Sequence, residues 1–355
     1  MSSLERMTLE NTALWLARPG AKFEVGAAPF TPPKANEVVV RVRAVAVNFV
    51  DAIPGIAYRI ILPWLTFPAV IGSDAAGEIV EVGSAVTRLR VGDRVVGHAV
   101  GPEKSRNTPA EGAFQGYVVL MEHMVSGIPD SLSYEQAAVL PLAMSTASCG
   151  LFQQDQLGLA LPTADPAARS ETVLVWGGST SVGINAIQLV RNAGYRVVAT
   201  SSPRGFEYLR SLGAAAVVDR NSKSVVDDVV AAIGDHPLAG VLAIGAGSLA
   251  PSIEISRRTD GTKRVSSAHP SPVTNVRARL ARRHGVRVST IWGGTLKDNE
   301  VGPAIYADFL PTALASGVYR AAPDATIIGT GLASIPDALV QLKKGISLTK
   351  LVVTI

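Results

Sequence analysis

The segment VLVWGGSTSVGINAIQLV, residues 173–190, constrains the fold more than any other part of the chain. An apolar run of strand character breaks into small residues and resumes with helical spacing. A strand that turns directly into a helix is the opening unit of a parallel α/β sheet. In such a turn Gly178 permits a tight bend and Gly183 lets the helix lie close to the strand. The first N–H groups of a helix have no partner inside it, so this terminus attracts phosphate. The stretch GGSTSVG departs from the usual Gly-x-Gly-x-x-Gly because Thr180 holds the middle glycine position. Ser179, Thr180 and Ser181 offer hydroxyl donors instead, and Val182 completes the helix start.

The surrounding sequence repeats the strand and helix rhythm. YRVVATSS precedes RGFEYLRSLG, AAVVDR precedes SVVDDVVAAIG, and LAGVLAIGAG follows. Strands alternating with helices predict a parallel sheet covered on both faces. Residues before about 150 read differently. EVVVRVRAVAVN (37–48), GEIVEVG (77–83), GDRVVGHAV (92–100) and GYVVLMEHMV (116–125) are short β-rich runs between Gly and Pro turns. The tail ALVQLKKGISLTKLVVTI reads as a helix and a closing strand, which composition alone assigns to the second domain. Residues 160–169 read as a surface loop.

A chain of 355 residues with 47% hydrophobic and 17% charged residues has a folded composition and the length of two domains. Its 33 Lys and Arg are interspersed with 29 acids and form no long run, which argues against a nucleic-acid partner. No signal-peptide core and no long uninterrupted apolar stretch stands in the sequence, so neither secretion nor a membrane is expected and the protein reads as cytoplasmic. Cys149 is the only cysteine, and the five histidines are scattered without metal-ligand spacing.

The end of the second α/β strand bears on the nucleotide. An NAD site carries an acidic residue there, about 20 positions after the glycines, to accept bonds from the ribose 2′-hydroxyl. Here Ser201, Ser202 and Arg204 stand in that place, and the first acid is Glu207. A carboxylate repels a 2′-phosphate, whereas hydroxyls and a guanidinium bind it, so NADPH is the expected cofactor. The alternative is a solvated loop in which Arg204 caps a helix.

The segments FPAVIGSDAAGEIVEVG, VGDRVVG, AAVLPLAMSTASCGLF, ETVLVWGGSTSVGINAIQLV and SSPRGFEYLRSLGAAAVVD resemble the zinc-independent medium-chain dehydrogenase/reductases. More narrowly they are similar to the group holding quinone oxidoreductases and ToxD-like trans-enoyl reductases, and the tail AAPDATIIGTGLASIPDALVQLKKGISLTKLVV shares the likeness. The resemblance implies an α/β protein of two domains. A GroES-like, β-rich catalytic domain spans 1–148 and is completed by 311–355, around a doubly wound Rossmann domain at 149–310, with the cofactor in the cleft between them. It implies a homodimer as well.

Where zinc-dependent relatives carry ligands, this sequence reads NFVD (48–51) and GSD (72–74). Ser73 cannot replace an imidazole as a zinc ligand. The implied chemistry is therefore NADPH-dependent reduction of an activated C=C bond in an enone or enoyl compound. A quinone acceptor is the enzymatic alternative, and an NADPH-binding protein without turnover is the other. Asn48 and Asp51 match a family motif near the nicotinamide, or else form a turn in which their side chains bond local backbone. Thr146 matches a threonine close to the nicotinamide, Gly245 a place where the ribose crosses the sheet, and IWGG (291–294) and IGTG (328–331) stretches that bond the carboxamide. Ile53 stands where relatives carry a Tyr or Lys proton donor. Tyr58 is then either a replacement donor or a core or exposed tyrosine. The stretch RARLARRHGVR (277–287) reads as a solvated helix face, with an anion site that attracts an acidic carrier as the alternative.

Overall fold

Seven of the ten residues of Glu37–Ala46 are Val or Ala, and the segment forms the strand around which the first part of the molecule is organised. The structure is a computed structural model, and it describes residues 10–269 and 272–355. The chain divides into two compact units. One comprises the described part of Met1–Leu142 with Tyr306–Ala315 and Ala321–Ile355; the other comprises Ala143–Ile305 and Ser316–Arg320.

The first unit holds β1 (Asn11–Leu16), β2 (Phe23–Ala28), β3 (Glu37–Ala46), β4 (Ala69–Val70), β5 (Asp74–Val82), β6 (Arg94–His98), β7 (Tyr117–Met121) and β8 (Val125–Gly127). A small sheet has the order β2-β1-β4. Val38, Val40, Val42 and Val45 of β3 enter a core that also contains Ile79, Val95, Phe114 and Leu120.

The second unit holds β9 (Thr172–Trp176), β10 (Arg196–Ser201), β11 (Ala216–Asp219), β12 (Leu238–Ala243), β13 (Arg264–Ser267) and β14 (Arg287–Thr290). All are parallel, in the order β11-β10-β9-β12-β13-β14. That is the doubly wound order, whose direction reverses at β9, the switch point at which ligands bind in such sheets. Every residue of β9 and β12 is buried, as expected of strands covered on both faces. The helix Pro272–Arg282 leaves Arg277, Arg279 and Arg282 in solvent, so the basic stretch is a solvated face.

The closing strand corrects the composition reading. β15 (Asp324–Thr330) and β16 (Thr349–Thr354) run parallel to each other, and β16 pairs antiparallel with β3 through Val352 and Ala46. The tail thus completes the first unit's seven-stranded sheet, β15-β16-β3-β5-β6-β8 with β7 on β3. Leu351 and Val353 are buried in the first unit's core, which is the burial that decides the pairing. Among the described residues no helix is long and apolar enough to cross a membrane.

Candidate active site

In the second unit, β9 ends at Trp176 and the helix Ser181–Asn192 begins five residues later. The residue that makes the bend is Gly177, at φ +87°, a left-handed conformation that favours glycine. Gly178, to which the sequence reading gave that part, serves packing: a Cβ there would lie 2.9 Å from Leu209 and 3.1 Å from Ala199. Gly183 is required by close approach, since a Cβ would come 2.3 Å from the Gly177 carbonyl oxygen.

Thr180 caps the helix. Its hydroxyl accepts the Gly183 N–H at 3.0 Å and donates to the Gly177 carbonyl at 2.8 Å. The hydroxyl is thus spent within the turn, which corrects its reading as a donor to a ligand. The N–H groups of Ser181 and Val182 open the helix, where no intrahelical acceptor exists. Ser179 is buried beside them.

Two bonds fasten this turn to β10: Gly177 N–H to Thr200 Oγ1 at 3.0 Å and Gly178 N–H to the Thr200 carbonyl at 2.8 Å. At the strand's end Ser201 is fully buried, and its hydroxyl has no partner among the described residues. A buried hydroxyl is rarely left unmatched. Ser202 follows, half-buried, and Arg204 lies exposed on the turn Pro203–Gly205 with no carboxylate pairing it among the described residues. An uncommitted cation, an unmatched hydroxyl and open helix N–H groups fit a phosphorylated dinucleotide. Gly245 follows β12 at φ +85°, and its carbonyl accepts the Ser248 hydroxyl at 2.7 Å. Thr146 is half-buried in the helix Pro141–Phe152, and the chain passes so close at Gly293 that a Cβ there would come 2.6 Å from its hydroxyl. That contact accounts for a glycine in IWGG.

In the first unit the turn 48–51 is closed twice, by Asp51 N–H to the Asn48 carbonyl at 3.0 Å and by Asn48 N–H to Asp51 Oδ2 at 2.8 Å. This is the local turn that the sequence left as one of two readings for Asn48 and Asp51. The Asn48 side chain reaches further. Its Nδ2 donates to Asp74 Oδ2 at 2.9 Å, and its Oδ1 accepts from Lys350 Nζ at 2.5 Å. Lys350 also pairs with Asp74 at 2.9 Å, and both side chains are buried. The other Asp74 oxygen accepts the Leu142 N–H at 2.6 Å, at the start of the helix Pro141–Phe152.

Asp51 is 4% exposed. Burial pushes its carboxyl up from 3.8 to about 7; the Asn48 N–H bond opposes the rise, the Asp74 charge adds to it, and Lys350 opposes it. Tyr58 lies in the helix Gly55–Ile61, is 3% exposed, and meets Phe67 edge to face at 5.9 Å. It is a core tyrosine, and burial together with the Asp51 charge raises its hydroxyl above the ordinary range. Of the IGTG stretch, the Gly331 N–H is bonded to the Thr354 carbonyl at 2.7 Å.

Sequence reasoning missed Asp74 and Lys350, although GSD and TKLVV are plain in the sequence. GSD reads there only against the zinc-ligand places of relatives, and TKLVV as part of the closing strand. Among the described residues no three of His, Cys, Asp and Glu gather as a metal site.

Comparison with known proteins follows the same lines. Residues 34–130 match the alcohol dehydrogenase GroES-like domain. The dehydrogenase pigH of Monascus ruber is 45% identical over 367 residues, covering 97% of this chain and 99% of that protein. The trans-enoyl reductase himH of Aspergillus japonicus is 36% identical, covering 98% of each. The crystal structure of CurK enoyl reductase superposes with a TM-score of 0.74 at 21% identity, over 97% of this chain and 99% of that one, a likeness of fold.

Proposed function

The chain belongs to the medium-chain dehydrogenase/reductase superfamily, and from that premise we propose that this oxidoreductase uses NADPH to reduce activated C=C bonds of enones or enoyl compounds. The observation that carries this reading is the Asn48–Lys350–Asp74 cluster. Asn48 and Ser73 stand at the places matching metal ligands in zinc-dependent relatives, and the amide of Asn48 is held between an ammonium and a carboxylate. This donor set does not suit zinc, which takes thiolate, imidazole or carboxylate ligands. An acceptor reduced here must therefore carry its own activation, as an α,β-unsaturated carbonyl does.

The choice of NADPH rests on the end of β10, where Ser201, Ser202 and Arg204 suit a 2′-phosphate and stand in place of the acid of an NAD site; Asp219 of β11, in register with Ser201, accepts the Asn221 N–H at 3.0 Å. Gly178 to Gly183 would hold the pyrophosphate at the helix start, with Thr146 and Gly245 toward the nicotinamide end. The bound nicotinamide supplies a hydride for the β-carbon. The α-carbon then needs a proton; Ile53 stands at the usual donor's place and burial makes the Tyr58 hydroxyl a weaker acid than usual, whereas Asp51, equally buried, is pushed up to about 7 and is the better-matched acid. Phe49, between Asn48 and Asp51, is 67% exposed and suits an apolar acceptor.

The test is NADPH and NADH oxidation against unsaturated ketones, an enoyl thioester and 1,4-quinones. Turnover of the enone or thioester with NADPH preferred is expected. Oxidation with quinones alone would replace this reading with a quinone reductase, and NADPH binding without any acceptor would replace it with a nucleotide-binding protein.

A further inference from the structure

Lys350 is 2% exposed and Asp74 fully buried, and an ion pair so placed is seldom worth its desolvation as stability alone. Each also holds Asn48: the ammonium bonds its carbonyl oxygen and the carboxylate its amide. Asn48 in turn gives its N–H to Asp51. Two hydrogen-bonded links therefore run from β16, through a turn near the other end of the unit's sequence, to one buried carboxyl, and a third ties the same turn to Asp74 of β5.

We propose that Lys350, with Asp74, is a positioning residue of the reduction site, fixing the Asn48–Asp51 turn and so the group that hands the substrate its proton. This rests on the reduction reading above. In the step concerned, the O–H bond of Asp51 breaks and its proton bonds to the α-carbon. The enolate's electron pair moves from oxygen into that C–H bond, and the carboxylate regains a proton from water. NADPH is the reductant, and the acceptor gains one hydrogen as hydride and one as this proton.

The charges facing Asp51 are Asp74 and Lys350, with Tyr58 as the neutral titratable neighbour. Their effects on it are opposite in sign, which makes the arrangement distinguishable from a structural tie. Removing the Lys350 charge favours the protonated Asp51, and removing the Asp74 charge favours the ionised form.

The Asp51 carboxyl is followed by carbon NMR titration of the whole protein, its resonance assigned by its loss in Asp51→Asn. Lys350→Met is expected to raise the midpoint by about one pH unit and Asp74→Asn to lower it by a similar amount, with Lys350→Arg close to the parent. With the acceptor found above, the alkaline limb of kcat moves the same two ways. Lys350→Met loses at least about tenfold in kcat while KM for NADPH holds, and Lys350→Arg restores most of the loss. An unmoved midpoint, or movement in one direction in both variants, overturns the proposal. Should Lys350→Met fail to fold, Asp74→Asn decides by itself. A parent protein that titrates as described but reduces no acceptor removes the reduction reading, and with it the role in proton delivery, while a working parent with unmoved midpoints removes only this inference.

Discussion

Gly183 and Arg204 show how differently single residues can matter. At Gly183 the Gly177 carbonyl occupies the space of a side chain, so Gly183→Ala forces the helix off its strand. A loss of about 3 kcal/mol is expected, measured by urea unfolding together with nucleotide binding. At Arg204 nothing is displaced, and the expected effect of Arg204→Ala is on cofactor choice: KM for NADPH rises about tenfold, equivalent to about 1.4 kcal/mol, and KM for NADH stays. Equal changes in both would remove the 2′-phosphate assignment. Gly183 was legible from sequence because its spacing from the strand defines the helix start. Gly177 was not, since two adjacent glycines leave open which one takes the left-handed conformation. Lys350 was hidden for another reason: lysine is seldom buried, and in TKLVVT it passes for a residue on the solvent side of a strand.

Elements are held by a few charged contacts that local pattern does not reveal. Arg106 pairs with Glu111 at 2.5 Å and with Glu37, joining the turn Pro109–Glu111 to the start of β3, and both glutamates are buried. Replacing it by Met leaves the buried Glu111 carboxylate without a counter-charge and Glu37 with only Lys34, at 3.8 Å. Arg106→Met should cost about 3 to 5 kcal/mol, read as a fall in the denaturation midpoint. A gentler case is Lys263, whose ammonium donates to the Ser256 carbonyl at 2.8 Å and to that of Thr259, at the end of the helix Leu249–Arg258. Lys263→Met should lose about 1 kcal/mol by the same assay, because those terminal carbonyls and the helix dipole lose their cation. Strands and helices of the second unit could be read because continuous apolar runs and glycine turns are local signals. β16 was legible as a strand and its partner was not, because pairing across most of the chain leaves no local trace.

For the molecule as a whole, Asp51 couples stability to pH. Its folded value of about 7 lies above its unfolded 3.8, so the unfolded chain releases this proton first. The resulting penalty is absent below pH 3.8, grows as pH rises toward 7 and is complete above it, at about 4 kcal/mol. Asp51→Asn keeps the bond to Asn48 and removes the penalty, so its stability relative to the parent should rise between pH 4 and pH 8, as measured by denaturation midpoints. A constant difference across that range would show Asp51 to be ionised throughout. The two-domain organisation was expected from the change of rhythm near residue 150, and the path of the tail came from the resemblance alone. That path also bears on how the protein is made. The ribosome releases Asp74 long before Lys350, and at about 5 to 20 residues per second the wait is on the order of tens of seconds. During that interval the carboxylate has Asn48 and Leu142 but lacks its counter-charge, and the first sheet lacks β15 and β16, whereas residues 143–305 have already been delivered in one stretch. The nascent protein therefore acquires its nucleotide-type fold before its buried charge cluster, and a chaperone that shields the open edge of β3 would raise the yield of finished molecules.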